Sequence, residues 1–396
     1  MKRTSNVRVP KFELRLSKSD KEFIIRQIDS VLSGSSWTTG NLCRAFEESF
    51  AEFTGAASAV AVTNGGAALI CALEAAGVAE GSAVVCPTLT APPTAHSILA
   101  SGRSVVFADS CSDDFGLDPR DVERKLKRYG GAAGAIVCVH VGGWISPRVT
   151  ELKRLSARFD VPLIEDCAHA HTSRLGDRHA GEFSGIGAFS FFLTKPLTCG
   201  EGGIVTVMNE SLAERIRVLR NYGKTADGRH IDKGSNFKIS EFNAAVGLWA
   251  AKNAQRLHDE RKRLAEMYEN HLSKTNGICV VNVPGCDNSY YKFVVTLDSS
   301  LDRDSIRHDM KQYYGVESPG GVYDTLCHEE PFFRQLSRSC VLNSTEDFPQ
   351  AQEISRRQLC LPLYPGLRDD EQAIVVDALQ KVVAQHLRGS VVRQSS

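Results

Sequence analysis

The 396-residue chain has no net charge, with Lys+Arg and Asp+Glu at 47 each. That balance gives no support to bulk electrostatic binding of nucleic acid or of an anionic membrane surface, although a local basic pocket is compatible with it. None of the twelve cysteines forms a C-x-x-C pair, which removes zinc-ribbon and thioredoxin-like readings and leaves no metal site to expect. Most of them sit in apolar runs such as Val84-Val85-Cys86 and Ile136-Val137-Cys138, the pattern of small buried hydrophobes in a reducing compartment. Met1-Lys2-Arg3 is not followed by the apolar stretch of a secretory signal. The longest uncharged run, Gly81 to Gly102, holds three prolines and does not read as a membrane span. The expected location is the cytoplasm, with no nucleic-acid or membrane partner.

What is present is the composition of an ordinary globular protein, 42% apolar and 24% charged. At about 100–200 residues per domain the length suggests two domains. Residues 1–17 read as an irregular segment. A helix follows over 17–33, with Ser19-Asp20 as its expected cap, then a loop and a helix over 42–53. From there short β-branched runs (58–62, 83–86, 104–107, 135–139, 163–165) alternate with helical stretches (67–76, 94–100, 119–128, 149–159). The alternation predicts an α/β domain with a mostly parallel central sheet flanked by helices. Two further strands, 187–191 and 203–207, frame a glycine-rich turn. A single long helix over 241–272, laced with i,i+4 charge pairs, is expected to link this large domain (18–272) to a smaller C-terminal α+β domain (273–396).

Four segments carry candidate chemistry. Thr63-Asn64-Gly65-Gly66-Ala67-Ala68 joins a strand to a helix, so its amides and the helix dipole form an anion cradle in principle; a tight turn without a ligand reads equally well. Leu163-Ile-Glu-Asp166-Cys-Ala-His169-Ala-His171 delivers acidic and imidazole groups at the C-terminal end of a strand, where open α/β sheets bind ligands. Asp166 there suits a protonated ring nitrogen, or a helix cap. In Gly187-Ala-Phe-Ser190-Phe-Phe-Leu-Thr-Lys195, followed by Gly200-Glu-Gly-Gly203, a lysine leaves an aromatic strand and is hemmed by glycine. Such an amine can lose proton affinity and form a Schiff base with an aldehyde. Gly234-Ser-Asn236-Phe-Lys-Ile-Ser240-Glu241 precedes the long helix, with Ser240 as its cap.

Taken together and in order, with Lys195 standing 29 residues after Asp166, these segments resemble the fold-type I pyridoxal-phosphate (PLP) enzymes, and within them the DegT/DnrJ/EryC1/StrS sugar and aminocyclitol aminotransferases. The likeness runs from Trp37-Thr-Thr-Gly40 to Cys360-Leu-Pro-Leu-Tyr-Pro365. It implies PLP as cofactor, Lys195 as its covalent anchor and proton-transfer amine, and Asp166 as partner of the pyridinium nitrogen. It implies the Gly65, Gly66 and Ala67 amides with Ser190 at the phosphate, and His169 beside the ring. Asn236 would reach the neighbouring subunit's phosphate, so the active unit is expected to be a homodimer. The implied reaction moves an amine from glutamate or glutamine to a keto sugar or cyclitol ketone in biosynthesis or secondary metabolism. Tyr323 and His328 match a stretch that lines the substrate site.

Three positions depart from the family pattern: Ala91 where an aromatic stacks on the PLP ring, Gly66 where Ser or Thr stands, and Gly142 where an aromatic is common, with Trp144 nearby. These leave two alternatives open. One is another PLP reaction on the same fold (dehydratase, lyase or oxidase), although family dehydratases carry His in place of Lys195. The other is a non-catalytic binder, which would have no need of Asp166 and Lys195 together.

Overall fold

The computed structural model describes residues 8–337, 339–343 and 345–394, so the first seven residues of the expected N-terminal segment lie outside it. The strands in chain order are β1 (Ser58–Val62), β2 (Ala83–Pro87), β3 (Ser104–Ala108), β4 (Ala133–Val139), β5 (Leu163–Asp166), β6 (Arg174–Leu175), β7 (Arg178–His179), β8 (Ile186–Ser190), β9 (Gly203–Val207), β10 (Ile278–Val280), β11 (Cys286–Asp287), β12 (Phe293–Leu297) and β13 (Gln358–Leu361). A seven-stranded sheet has the order β1-β9-β8-β5-β4-β2-β3, and β9 alone runs against the other six.

The apolar runs are continuous rather than alternating because the sheet is covered on both faces. Along β2, Val84 and Cys86 pack into one core while Ala83 and Val85 pack into the other. Nine cysteines are buried, eight of them in these two cores, as their apolar contexts imply. A separate core belongs to the antiparallel sheet β10-β12-β13 and its helices, which form the smaller α+β unit. The described part of the N-terminal segment packs there: Val9 and Phe12 join that core, and Val9 bridges Val316.

Two expectations change. The first helix starts at Lys18 and is capped by Ser17, not by Ser19-Asp20: Ser17 Oγ accepts from the Asp20 amide at 3.1 Å, and Asp20 returns the bond to the Ser17 amide. Asp20 is thus the inner half of a capping box. The expected single helix over 241–272 is two, Glu241–Lys252 and Ala254–Leu272. Asn253 has non-helical backbone angles, and its side-chain amide donates to the Trp249 carbonyl at 2.8 Å, competing with the helical ladder. Cations of the second helix pair outward, Lys262 with Asp287 and Arg263 with Asp369, instead of along the helix. Ser240 does cap the first piece, accepting from the Asn243 amide.

Candidate active site

A cavity of about 340 Å³ opens at the C-terminal ends of β4, β5 and β8. Gly65, Gly66, Asp166, His169, Ser190, Lys195 and Tyr323 all border it, together with Asn64, Ala91, Thr94 and Glu201. Residues dispersed over 260 positions meet because parallel strands end at one edge of the sheet and their loops converge there.

Asp166 is the last residue of β5 and is buried. Its Oδ2 accepts from Thr94 Oγ1 at 2.9 Å and its Oδ1 from the Ala168 amide at 3.1 Å. Burial raises its pKa, and those two bonds with the Lys195 charge pull partly back. A buried carboxylate with donors on both oxygens is fixed in direction and retains affinity for a further cationic N–H. Neighbouring Glu165 points to the opposite face, as the strand period requires. It binds His140 Nε2 at 2.9 Å and the Gly181 amide, and takes no part in the cavity.

Lys195 follows β8 in the turn toward β9. Desolvation of its amine holds it below the usual lysine range, opposed by Tyr291 and Asp166. His169 is buried, and burial with the Lys195 and Lys292 charges keeps it well below its ordinary value. Its Nδ1 accepts from the Gly142 amide at 3.3 Å, so the neutral ring carries its proton on Nε2.

The helix over Gly65–Ala75 begins two residues earlier than the sequence suggests, which brings Gly65 and Gly66 into its first turn. A Cβ on Gly65 would stand 2.6 Å from the Ser190 Cβ, so only glycine lets this turn approach β8. Asn64 caps the helix by accepting from the Ala67 amide at 2.8 Å. That amide is therefore engaged inside the protein, and Ala67 does not border the cavity.

Two other expected residues also lie away from it. His328 is buried behind the end of β2, 2.6 Å from Thr88 Oγ1 and packed on Phe348. Asn236 is exposed and bridges Asn221. Beside Ala91, Tyr323 borders the cavity with its ring 5.7 Å from His169 and 25° from parallel, and its hydroxyl reaches Thr90 and the Ala91 backbone. Trp144 is buried against Phe115 and does not enter the cavity; a side chain on Gly142 would collide with its ring. Sequence reasoning assigned no role to Thr94, Asn64 or Tyr291. Asn64 stands inside the glycine-rich turn after the first strand and Thr94 three residues after Ala91, so both were legible by proximity, whereas Tyr291, stacked on His169 at 4.0 Å, belongs to a different part of the chain.

The residues present fit PLP. Gly65 and Gly66 leave backbone amides and no side chain at a helix N-terminus beside Ser190, a phosphate cradle. Asp166 offers a carboxylate for the ring nitrogen, and Lys195 an amine of reduced proton affinity.

The sequence model of the DegT/DnrJ/EryC1/StrS aminotransferase family matches residues 18–380. Spore coat polysaccharide biosynthesis protein SpsC of Bacillus subtilis is 30% identical over 375 residues, covering 91% of this chain and 94% of that protein. A UDP-N-acetyl-3-dehydro-alpha-D-glucosamine 3-aminotransferase of Acidithiobacillus ferrooxidans is 27% identical, covering 96% and 99%. The structure of DesI in the presence of its TDP-sugar product superposes with a TM-score of 0.85 at 28% identity, covering 96% of this chain and 94% of that one. The chain belongs to the DegT/DnrJ/EryC1/StrS aminotransferase family. It is an aminotransferase of fold-type I, with pyridoxal 5′-phosphate as its cofactor.

Proposed function

Proceeding from membership of that family, we propose that the protein transfers an amine from glutamate or glutamine to the keto group of a nucleotide-linked sugar or an aminocyclitol precursor. The convergence of Lys195, Asp166, Ser190 and the Gly65 and Gly66 amides on one cavity carries this reading. The sugar is supported by the UDP-linked sugar in the name of the Acidithiobacillus protein and by the TDP-sugar product named for DesI.

Bound PLP supplies an electron sink for the carbanion that forms as the amine migrates. Gly65, Gly66 and Ser190 would bind its phosphate. Asp166 would hold the proton on its ring nitrogen, its two oxygens oriented by Thr94 and Ala168. Lys195, whose amine is held below the usual lysine range by desolvation, would move the proton at the substrate carbon. His169, neutral and with its Nε2–H free of the Gly142 contact, would donate to a polar group on the ring. Ala91 and Tyr323 shape the wall on which the acceptor lies.

The active unit is a homodimer in this reading. Asn236 is exposed and does not border its own cavity, which leaves its side chain open to the site of a second copy. Trp37, Phe192, Leu193 and Tyr222 are exposed apolar side chains on segments near Asn236 and Lys195, a surface that a second copy would cover. The enzyme would work in the cytoplasm, in sugar biosynthesis or secondary metabolism. No helix among the described residues is long and apolar enough to cross a membrane.

The test is optical and then chemical. Protein loaded with PLP should lose its visible absorbance on addition of glutamate or glutamine and regain it with a nucleotide-linked keto sugar, with the aminated sugar identified by mass. Loaded protein that no amino donor bleaches would assign a different PLP reaction.

A further inference from the structure

Tyr291 lies just before β12 in the small unit and does not border the cavity, yet it contacts two of the residues that do. The Lys195 Nζ lies over its ring, 4.8 Å from the centroid. The His169 ring stacks on it at 4.0 Å and 21°. Its hydroxyl is 3.5 Å from Thr194 Oγ1, on the residue that precedes Lys195. The same short segment grips the loop after β5: Ser289 Oγ donates to the His169 carbonyl, and the Ser289 amide donates to Ser173 Oγ at 3.0 Å.

We propose that Tyr291 is a positioning residue, whose ring holds the protonated Lys195 amine at the rear of the cavity and keeps His169 pressed forward into it. The proposal rests on the reading of Lys195 as the proton-transfer amine. A transferring amine must be released from the cofactor, wait, and return to the same atom. Four flexible methylenes give it no fixed waiting place, whereas a desolvated aromatic face does.

The ring is one of the groups that face the Lys195 ammonium, its centroid 4.8 Å from the Nζ. Asp166 faces Lys195 and favours its charged form, but both its oxygens already accept other hydrogen bonds. Lys292 opposes the charge and lies over the same ring at 4.8 Å. Arg261, buried and held down to about 10, acts on Tyr291 from the helix over Ala254–Leu272, with its NH1 donating to the Tyr290 carbonyl at 3.1 Å. Cys360 faces Tyr291 from β13, while His169 and its neighbour His171 are held neutral. Lys195 and Lys292 both pull the Tyr291 hydroxyl below the usual phenol range.

The experiment compares Tyr291→Phe, which keeps the ring, with Tyr291→Met, which keeps bulk without a π face. Acetylation of Lys195 is followed against pH in the full-length protein freed of cofactor and read by peptide mass spectrometry. Loss of the ring removes a preference for the protonated amine, so the Met variant's midpoint should fall by about one pH unit. The Phe variant should keep the wild-type midpoint, and in the loaded enzyme it should keep kcat while Met lowers kcat with little change in KM for the amino donor. A Met midpoint equal to wild type overturns the proposal. So does a Phe midpoint displaced as far as that of Met, which would assign the role to the hydroxyl. Should Met not fold, Tyr291→Leu takes its place, and the Phe arm overturns the proposal independently. The labelling needs no turnover, so an error in the assignment of Lys195 itself would appear elsewhere, as catalysis surviving Lys195→Ala.

Discussion

Burial acts on several titratable residues in this chain, and each responds according to its partners. Asp166 is pushed up and Lys195 down, which brings an acid and a base toward neutrality from opposite sides. His179, packed edge-on against Phe53, is lowered by desolvation to about 4. Below pH ~6.5 the unfolded chain takes up a proton at this residue that the folded chain refuses, so stability falls as pH falls. Between pH 6.5 and 4 the loss from this one group averages about 1 kcal/mol per pH unit and approaches about 1.4 midway. His179→Gln should therefore be less sensitive to acid than wild type. Urea unfolding at pH 6.5 and 5.5 checks it: the stability difference between the two conditions should shrink by about 1 kcal/mol in the variant.

At the scale of the element, the strand–helix turn after β1 is the most constrained part of the site. Asn64 caps the helix, which consumes the Ala67 amide and leaves those of Gly65 and Gly66 toward the cavity. The two glycines differ in what a side chain would meet. On Gly65 a Cβ would stand 2.6 Å from Ser190 Cβ; on Gly66 its nearest neighbours are Ser97 Oγ at 3.2 Å and Asn64 Oδ1 at 3.3 Å. Gly65→Ala should push the turn off β8 and weaken PLP binding tenfold or more, about 1.4 kcal/mol. Gly66→Ser needs only a small adjustment of polar side chains and should keep PLP affinity within about threefold, the scale of one net hydrogen bond. Fluorescence titration of cofactor-free protein with PLP separates the two outcomes.

Over the whole molecule, the cavity belongs to the large sheet, but Tyr323, which borders it, and Tyr291, which backs it, come from the C-terminal region. Asn236 would extend this sharing to a second copy. If it does, each site needs Lys195 from one subunit and Asn236 from the other. Lys195→Ala and Asn236→Asp proteins should each be inactive or nearly so alone, and regain activity when unfolded together and refolded. In the mixed dimer one site carries both lesions and the other neither. Random assortment puts half the molecules in mixed dimers with one intact site of two, so recovery should approach about a quarter of wild type. No recovery, with mixed dimers demonstrated by differential tagging, would place Asn236 at its own subunit's site.

The sequence by itself determined the α/β class, the seven strands of the large sheet, the family and the cluster around Asp166, Ser190 and Lys195. Each of these is written locally, as an apolar run, a capping residue or a motif of fixed spacing. Period and propensity did not reveal the break at Asn253, because one side chain competing with a backbone bond leaves the helical pattern intact on both sides. The resemblance to the family also put Ala67 and His328 with the site, whereas an asparagine cap occupies the amide of the first and a threonine hydroxyl holds the second behind β2. Tyr291 and the role of Tyr323 beside Ala91 depended on tertiary structure alone. Their ring contacts cross more than a hundred residues of chain, and only the docking of the small unit on the sheet edge brings those rings together.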